Sequence, residues 1–235
     1  MKRLILIFTI LLIPLTTIAQ TVEEYLDKGD SKIQKGDYKI AIQNFSKAIQ
    51  LNPDNSLAYT YRGAAKDSLG DYKGAIQDYN KAIELMPDNA AAYINRGLTK
   101  ERLGDIRGAL QDQNKAIELY PNDFLYYHSR AQTKYAIGDY RGSIQDLNKA
   151  IQLNPNYARS YTRRGLTKGR LGDNRGAIQD SNKAIQLDPN SAISYGTRGL
   201  AKINLGELDS GCLDLSKAGE LGYMEAYDLI KEDCQ

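Results

Sequence analysis

The chain has 235 residues, 42% apolar and 26% charged, which is the balance of an ordinary soluble globular protein. Its net charge of +2 includes Lys2 and Arg3, and without residues 1–19 the counts fall to 29 basic against 29 acidic side chains. A formally neutral chain lacks the electrostatic footprint of a general nucleic-acid binder, so no nucleic-acid partner is expected.

Residues 1–19 stand apart from the rest. Lys2 and Arg3 precede an apolar run over residues 4–13, followed by Pro14 and by Thr17, Ile18 and Ala19. A basic start, a short apolar stretch and a small-residue end read as a signal peptide cleaved after Ala19. The alternative is an uncleaved membrane anchor. Against it, the run is broken by Pro14 and threonines and falls short of the ~18–20 apolar residues a spanning helix needs. No Cys follows the cleavage point, as a lipid anchor would require. The expectation is an exported protein, periplasmic or secreted, with no membrane span after signal cleavage.

From residue 22 the chain copies itself. "GDYKGAIQDYNKAIELMPDN" at 70–89 returns as "GDYRGSIQDLNKAIQLNPNY" at 138–157. Pro53, Pro87, Pro121, Pro155 and Pro189 fall 34 residues apart, and Gly36-Asp37, Gly70-Asp71 and their successors keep the same step. The units are 22–55, 56–89, 90–123, 124–157, 158–191 and 192–225. In the second, residues 56–69 and 71–85 read as two helices. Tyr72, Ala75, Ile76, Tyr79, Ala82 and Ile83 form the apolar stripe of the latter. Asp71 is a good N-cap, Gly70 suits a left-handed turn, and Pro87 stops the second helix. Gly29, Gly63, Gly97, Gly165 and Gly199 lie inside first helices, where each costs ~0.8–1 kcal/mol relative to alanine. Close approach of the paired helices is the expected compensation, and Ala131 shows that one methyl is tolerated.

These residues resemble the tetratricopeptide repeat (TPR) family, whose unit is a 34-residue pair of antiparallel helices. The resemblance covers about 22–225 as six units. It implies an all-α protein, a single α-solenoid of six antiparallel helix pairs over 20–235 with a capping helix at about 223–234. Two departures stand out. Tyr25, Tyr59, Tyr93, Tyr127, Tyr161 and Tyr195 occupy a place where the family commonly has Trp, and are expected in the core. Lys32, Lys66, Lys100, Lys134, Lys168 and Lys202 stand where an aromatic is common.

Two charge ladders keep the repeat step. Arg62, Arg96, Arg130, Arg164 and Arg198 each precede by sixteen residues Asp78, Asp112, Asp146, Asp180 or Asp214. In a hairpin turning near Gly70 the two members lie at the same height, so they read as intra-hairpin ion pairs rather than a ligand ladder, modest in effect if exposed. Lys47, Lys81, Lys115, Lys149, Lys183 and Lys217 read as a solvated outer face.

Residues that repeat identically cannot distinguish partners, so specificity belongs where the copies disagree. Stacked helix pairs curve around a concave surface, and the family resemblance implies that first helices line it. The candidate partner-binding residues there are Tyr61, Asn95, Arg102, His128, Tyr135, Arg159, Arg163 and Arg170. Glu23, Asp27, Asp30 and Asp67 make the first third acidic, whereas the later arginines make the rest basic. The expected partner is a protein or peptide segment, acidic or carboxylate-ended, on the basic half; a solvated face without a ligand is the open alternative. Arg159 and Arg163 match two basic residues of the family's carboxylate clamp. Ile94, Leu98 and Ser129 do not match the rest, so a cytosolic chaperone partner is not implied.

His128 is the only histidine, so with two cysteines no His/Cys zinc site can be assembled, and neither metal nor cofactor is expected. No nucleophile and orienting acid accompany it in any motif, so no catalytic residue is assigned and an enzyme is not expected. Near the end, Tyr223, Ala226, Tyr227 and Ile230 form one apolar face of a capping helix. Cys212 and Cys234 lie at similar distances from the turn at Gly222, so a disulfide between them is expected over two buried thiols. The expected function is an exported protein-interaction scaffold with a concave groove. The alternative is a structural subunit docking into a cell-envelope complex through its convex face or ends.

Overall fold

The structure, a computed structural model, describes residues 15–234, with side chains from Thr21 onward except that of Asp233. The signal segment expected at 1–19 falls mostly outside the described residues. All the described regular structure is helical. Unit 1, ending at Thr99, holds α1 (Leu15–Gln34), α2 (Tyr38–Leu51), α3 (Ser56–Ser68), α4 (Tyr72–Leu85) and most of α5 (Ala90–Arg102). Unit 2, from Lys100, holds the end of α5, then α6 (Ile106–Leu119), α7 (Phe124–Ala136), α8 (Tyr140–Leu153) and α9 (Ala158–Arg170). It continues through α10 (Asn174–Leu187), α11 (Ala192–Ile203), α12 (Leu208–Glu220) and α13 (Ala226–Asp233). None of the described helices is long and apolar enough to cross a membrane.

Turn chemistry sets the hairpins. Asp71, Asp105, Asp139 and Asp173 each accept a hydrogen bond from the backbone N–H three residues on, at 2.9–3.0 Å. The glycine before each has φ between 79° and 83°, a left-handed conformation that closes the preceding helix. Inside the hairpin, side chains of unequal size face one another. A Cβ on Gly63 would lie 2.7 Å from Tyr79 Cε1, so this glycine makes room for a fully buried ring. In the fifth repeat the large partner is absent: Gly165 faces Ser181, whose buried hydroxyl has no hydrogen-bond partner.

The Arg–Asp pairs are two-pronged and buried. Arg130 Nε and Nη2 reach Asp146 at 2.9 and 2.6 Å, and Arg164 holds Asp180 at the same distances. Arg62–Asp78 and Arg198–Asp214 repeat the fork. The aspartate side chains are only 5–9% exposed. The ion pairs expected within the hairpins therefore form at buried carboxylates, where removing one partner costs far more than at an exposed pair. The lysine four residues after each arginine completes the node: Lys66, Lys134, Lys168 and Lys202 bind the same carboxylates at 2.7–2.9 Å. Lys100 likewise holds Asp112 at 2.8 Å. This is why a lysine stands where an aromatic is common. Burial opposes charge on Asp214, but the hydrogen bonds from Arg198 and Lys202 outweigh it and hold its carboxyl below the ordinary carboxylate range.

Each arginine also ties its hairpin to the one before. Arg96 Nη1 reaches Asn80 at 2.6 Å in unit 1, and in unit 2 Arg130, Arg164 and Arg198 reach Asn114, Asn148 and Asn182 at 2.7 Å. The guanidinium lies over the tyrosine three residues back, 5.3–5.8 Å from its ring centre. The tyrosines are accordingly half-buried plates under a cation at the margin of the core: Tyr161 is buried in it, and Tyr25 and Tyr195 pack against it. In the first repeat Lys28 turns to Glu24 and Asn44 to the Ile40 carbonyl, so no pair forms between them. The outer lysines have local partners: Lys81, Lys115 and Lys217 bind the glutamate three residues on.

The chain end differs from the expected cap in register. The helix begins at Ala226 rather than about 223, with Tyr223 in the turn before it. Tyr223, Leu229, Ile230 and Cys234 pack around Leu215, Ala218 and Ala226, while Tyr227 is 42% exposed. Leu229 thus joins the expected face, and the partly exposed Tyr227 ring still covers Gly219 of α12. Cys212 and Cys234 are joined by a disulfide, their Cα atoms 5.9 Å apart.

Arg164→Ala leaves the buried Asp180 with Lys168 alone and is expected to cost about 2–3 kcal/mol in urea unfolding; a loss below 0.5 kcal/mol would mean the pair is merely superficial. Replacing both cysteines by alanine is expected to cost up to ~3 kcal/mol. Hydrogen exchange should show faster opening of α13 with α7–α9 unchanged.

Candidate interaction site

The helix α9 carries two kinds of arginine. Arg164 points to Asp180 and is neutralised. Arg159, Arg163 and Arg170, with Thr162 and Leu166, follow three- and four-residue spacing and share another face. Because α9 packs against α7 and α11, that face borders two hollows of unit 2.

The first hollow, about 430 Å³, is lined by His128 and Gln132 of α7, Arg159, Thr162, Arg163 and Leu166 of α9, and residues at the start of α11. Arg159 is exposed and Arg163 half-buried, and neither forms a salt bridge among the described residues. The Arg163 guanidinium lies over the Tyr135 ring, 5.3 Å from its centre, while Arg170 Nε donates to the Tyr135 hydroxyl at 3.1 Å. One tyrosine thereby positions two cations. Asp188 supplies the single carboxylate of the first hollow.

His128 is a buried wall of this hollow, 7% exposed. Its Nδ1 lies 3.1 Å from Ser160 Oγ, and its Nε2 lies 3.2 Å from the Gln132 amide nitrogen. With the amide donating to Nε2, Nδ1 carries the proton and donates to Ser160. The ring meets Tyr157 edge-on, with centres 5.3 Å apart. Burial, then Arg163 and Arg159, lower its pKa from 6.5 to about 4. The imidazole is neutral near pH 7, so the positive charge here belongs to the arginines alone.

The second hollow, about 540 Å³, adjoins the first at Leu166. Its apolar lining includes Leu200, Tyr223 and Leu229. Arg170 lines it together with three carboxylates, Glu225, Asp228 and Glu232. The expectation of a basic later half therefore applies to the first hollow and reverses at the cap.

His128, Tyr135, Arg159, Arg163 and Arg170 are thus brought together in unit 2. Arg102, in the same unit, is exposed at the end of α5 and lines neither hollow. Tyr61 and Asn95 belong to unit 1: Tyr61 is exposed with its ring 5.7 Å from that of Phe45, and the half-buried Asn95 accepts from Thr99 through its carbonyl. Asp188, Glu225, Asp228 and Glu232 were not anticipated. The last three carried a signal, since their spacing of three and four residues puts them on one side of the terminal helix. Among the described residues no three His, Cys, Asp or Glu side chains converge as metal ligands.

The hairpins and their 34-residue step define a protein class, and sequence profiles agree with it. One described as TPR repeat matches residues 29–66, 68–104 and 131–172, and one described as tetratricopeptide repeat matches 90–123 and 158–191. The chain belongs to the tetratricopeptide repeat family, an α-solenoid fold that supports protein–protein interaction. Among solved structures, MamA is 28% identical, with a TM-score of 0.62 over 70% of this chain and 96% of its own. YrrB, described as a TPR protein with an unusual peptide-binding site, is 20% identical, with a TM-score of 0.64 over 80% of this chain and 97% of its own. PilF of Pseudomonas aeruginosa is 17% identical, with a TM-score of 0.81 over 92% of this chain and 99% of its own; it and YrrB show likeness of fold. No curated protein matches the chain in sequence.

The His128 shift gives a pH prediction with a definite sign. Its folded pKa lies below the unfolded value near 6.5, so between those values the unfolded chain binds a proton that the folded chain excludes. Stability from this group is present at pH 7 and falls by about 3 kcal/mol as pH drops to 4. Urea titrations of wild type and His128→Gln should differ in slope across that window; parallel profiles would show that the ring titrates normally.

Proposed function

We propose that the protein is an exported interaction scaffold that holds an acidic or carboxylate-ended protein segment against Arg159 and Arg163. One observation carries this reading. On a single helix, Arg164 is neutralised by a buried aspartate, whereas Arg159 and Arg163 border an open hollow without a salt bridge. Guanidinium groups bind carboxylates in a two-pronged, charge-assisted geometry. Leu166 and the start of α11 offer apolar surface beside them. The peptide-binding site described for YrrB lends precedent on a similar fold.

Export is supported by the pattern of residues 1–19 and by the Cys212–Cys234 bond, which persists in oxidising compartments. The reading contains no catalytic step. Ser160, beside His128, is fully buried, and two arginines oppose the imidazolium that a general base would become.

A second reading, a structural subunit docking into an envelope complex through an outer face or an end, has one observation in its favour. Leu208 and Leu213 lie exposed beside the disulfide, Leu213 at 72%.

Charge reversal separates the two. Arg159→Glu with Arg163→Glu is expected to weaken binding of a carboxylate-ended acidic peptide at least about tenfold by fluorescence anisotropy. It should also release the partner captured from envelope extract. Unchanged capture, with loss on Leu213→Asp instead, would favour outer-face docking.

A further inference from the structure

The two hollows of unit 2 meet at Leu166 and carry opposite charge. The first has Arg159 and Arg163 against Asp188, with His128 neutral. The second has Glu225, Asp228 and Glu232 against Arg170. Formal sums are +1 and −2. Arg170 is moreover occupied: its Nε donates to Tyr135, and that hydrogen bond stabilises its charged form. Asp228 makes only a long, exposed contact with Lys231 at 3.6 Å, while Glu225 and Glu232 form no salt bridge among the described residues.

Beside the charged groups and the polar Thr162, Thr197 and Asn204, apolar side chains run through both hollows. Leu166 lines both hollows, and Leu200, Tyr223 and Leu229 line the second. From Arg159 to Arg170 along α9 is about three helical turns, ~16 Å. An extended chain covers that distance in about five residues.

We propose that the two hollows form one seat for an extended protein segment that reads acidic, then apolar, then basic. Its carboxylate faces Arg159 and Arg163, its apolar side chain rests on Leu166 and Leu200, and its Lys or Arg side chain faces Glu225, Asp228 and Glu232. This rests on the proposed function for its acidic end and adds a cationic anchor about four to five residues away. The seat fixes the direction of the segment as well as its charge, because reversing the order sets like charges against each other. It also gives the terminal helix a role in recognition besides covering the last repeat.

The test uses the full chain and three labelled peptides of equal length. One has two glutamates, a central leucine and two lysines; one has the same residues in reverse order; one keeps the glutamates and leucine but has serines for lysines. Direction is kept meaningful by acetylating and amidating the ends. Fluorescence anisotropy at low salt is expected to rank the first peptide roughly tenfold tighter than the other two. In the Glu225→Lys, Asp228→Lys, Glu232→Lys variant that advantage over the serine peptide should vanish, while the serine peptide itself still binds. All three positions are exposed, and circular dichroism checks that the fold is retained.

An advantage that survives the triple reversal overturns the cationic anchor and leaves the arginine reading intact, as does equal binding of all three peptides that is lost on reversal of Arg159 and Arg163. Binding of no peptide, or binding indifferent to Arg159 and Arg163, removes both.

Discussion

The structure depends on a buried carboxylate held by two cations. In each complete node an aspartate on the second helix of a hairpin accepts the fork of an arginine and the ammonium of a lysine from the first helix. A lone carboxylate at that depth would be prohibitive to bury, so the two helices are locked in height as well as in contact. The third guanidinium nitrogen of the same arginine reaches an asparagine of the preceding hairpin, or Ser46 in the case of Arg62, and its flat face covers a tyrosine. Within each unit, one side chain therefore fixes the hairpin and its neighbour together.

On such a scaffold the few side chains not tied into a node are left to line the hollows. On α9 the identical residue type serves both purposes, and only the facing helix decides which. Arg164 meets Asp180 and becomes scaffold; Arg163, one position earlier, turns away from α10 and lies over Tyr135 at the edge of a hollow. A cation stacked on a ring keeps its donors directed outward, where an incoming carboxylate can use them. The neutrality of His128 belongs to the same arrangement, since arginines that remain charged, rather than a titrating imidazole, set the local potential.

The terminal helix both closes the last hairpin and lines the second hollow. The disulfide and the apolar contacts of Leu229 and Ile230 hold α13 against α12. Its polar side then forms a wall of the second hollow, and Glu225, Asp228 and Glu232 give that wall a charge opposite to the neighbouring one. Covering the last repeat is a requirement of any solenoid. Here it also places three carboxylates in the lining of the second hollow, beside the arginines of the first.

The period of prolines, glycines and alanines determined the hairpin, its caps and its repeat number, because those signals are local: a cap acts within four residues and a turn within five. The Arg–Asp pairing was also legible, since equal distances from a turn put partners at equal height. What the sequence could not decide was depth. Only packing showed that Asp180 is buried, that its lysine joins the pair, and that the tyrosines lie half-covered beneath arginines, for burial is a property of neighbours distant in the chain. The acidic wall was hidden for the same reason. Glu225, Asp228 and Glu232 lie 62 or more residues from Arg163 in sequence, and the fold of the last hairpins alone sets them beside Leu166 and Arg170.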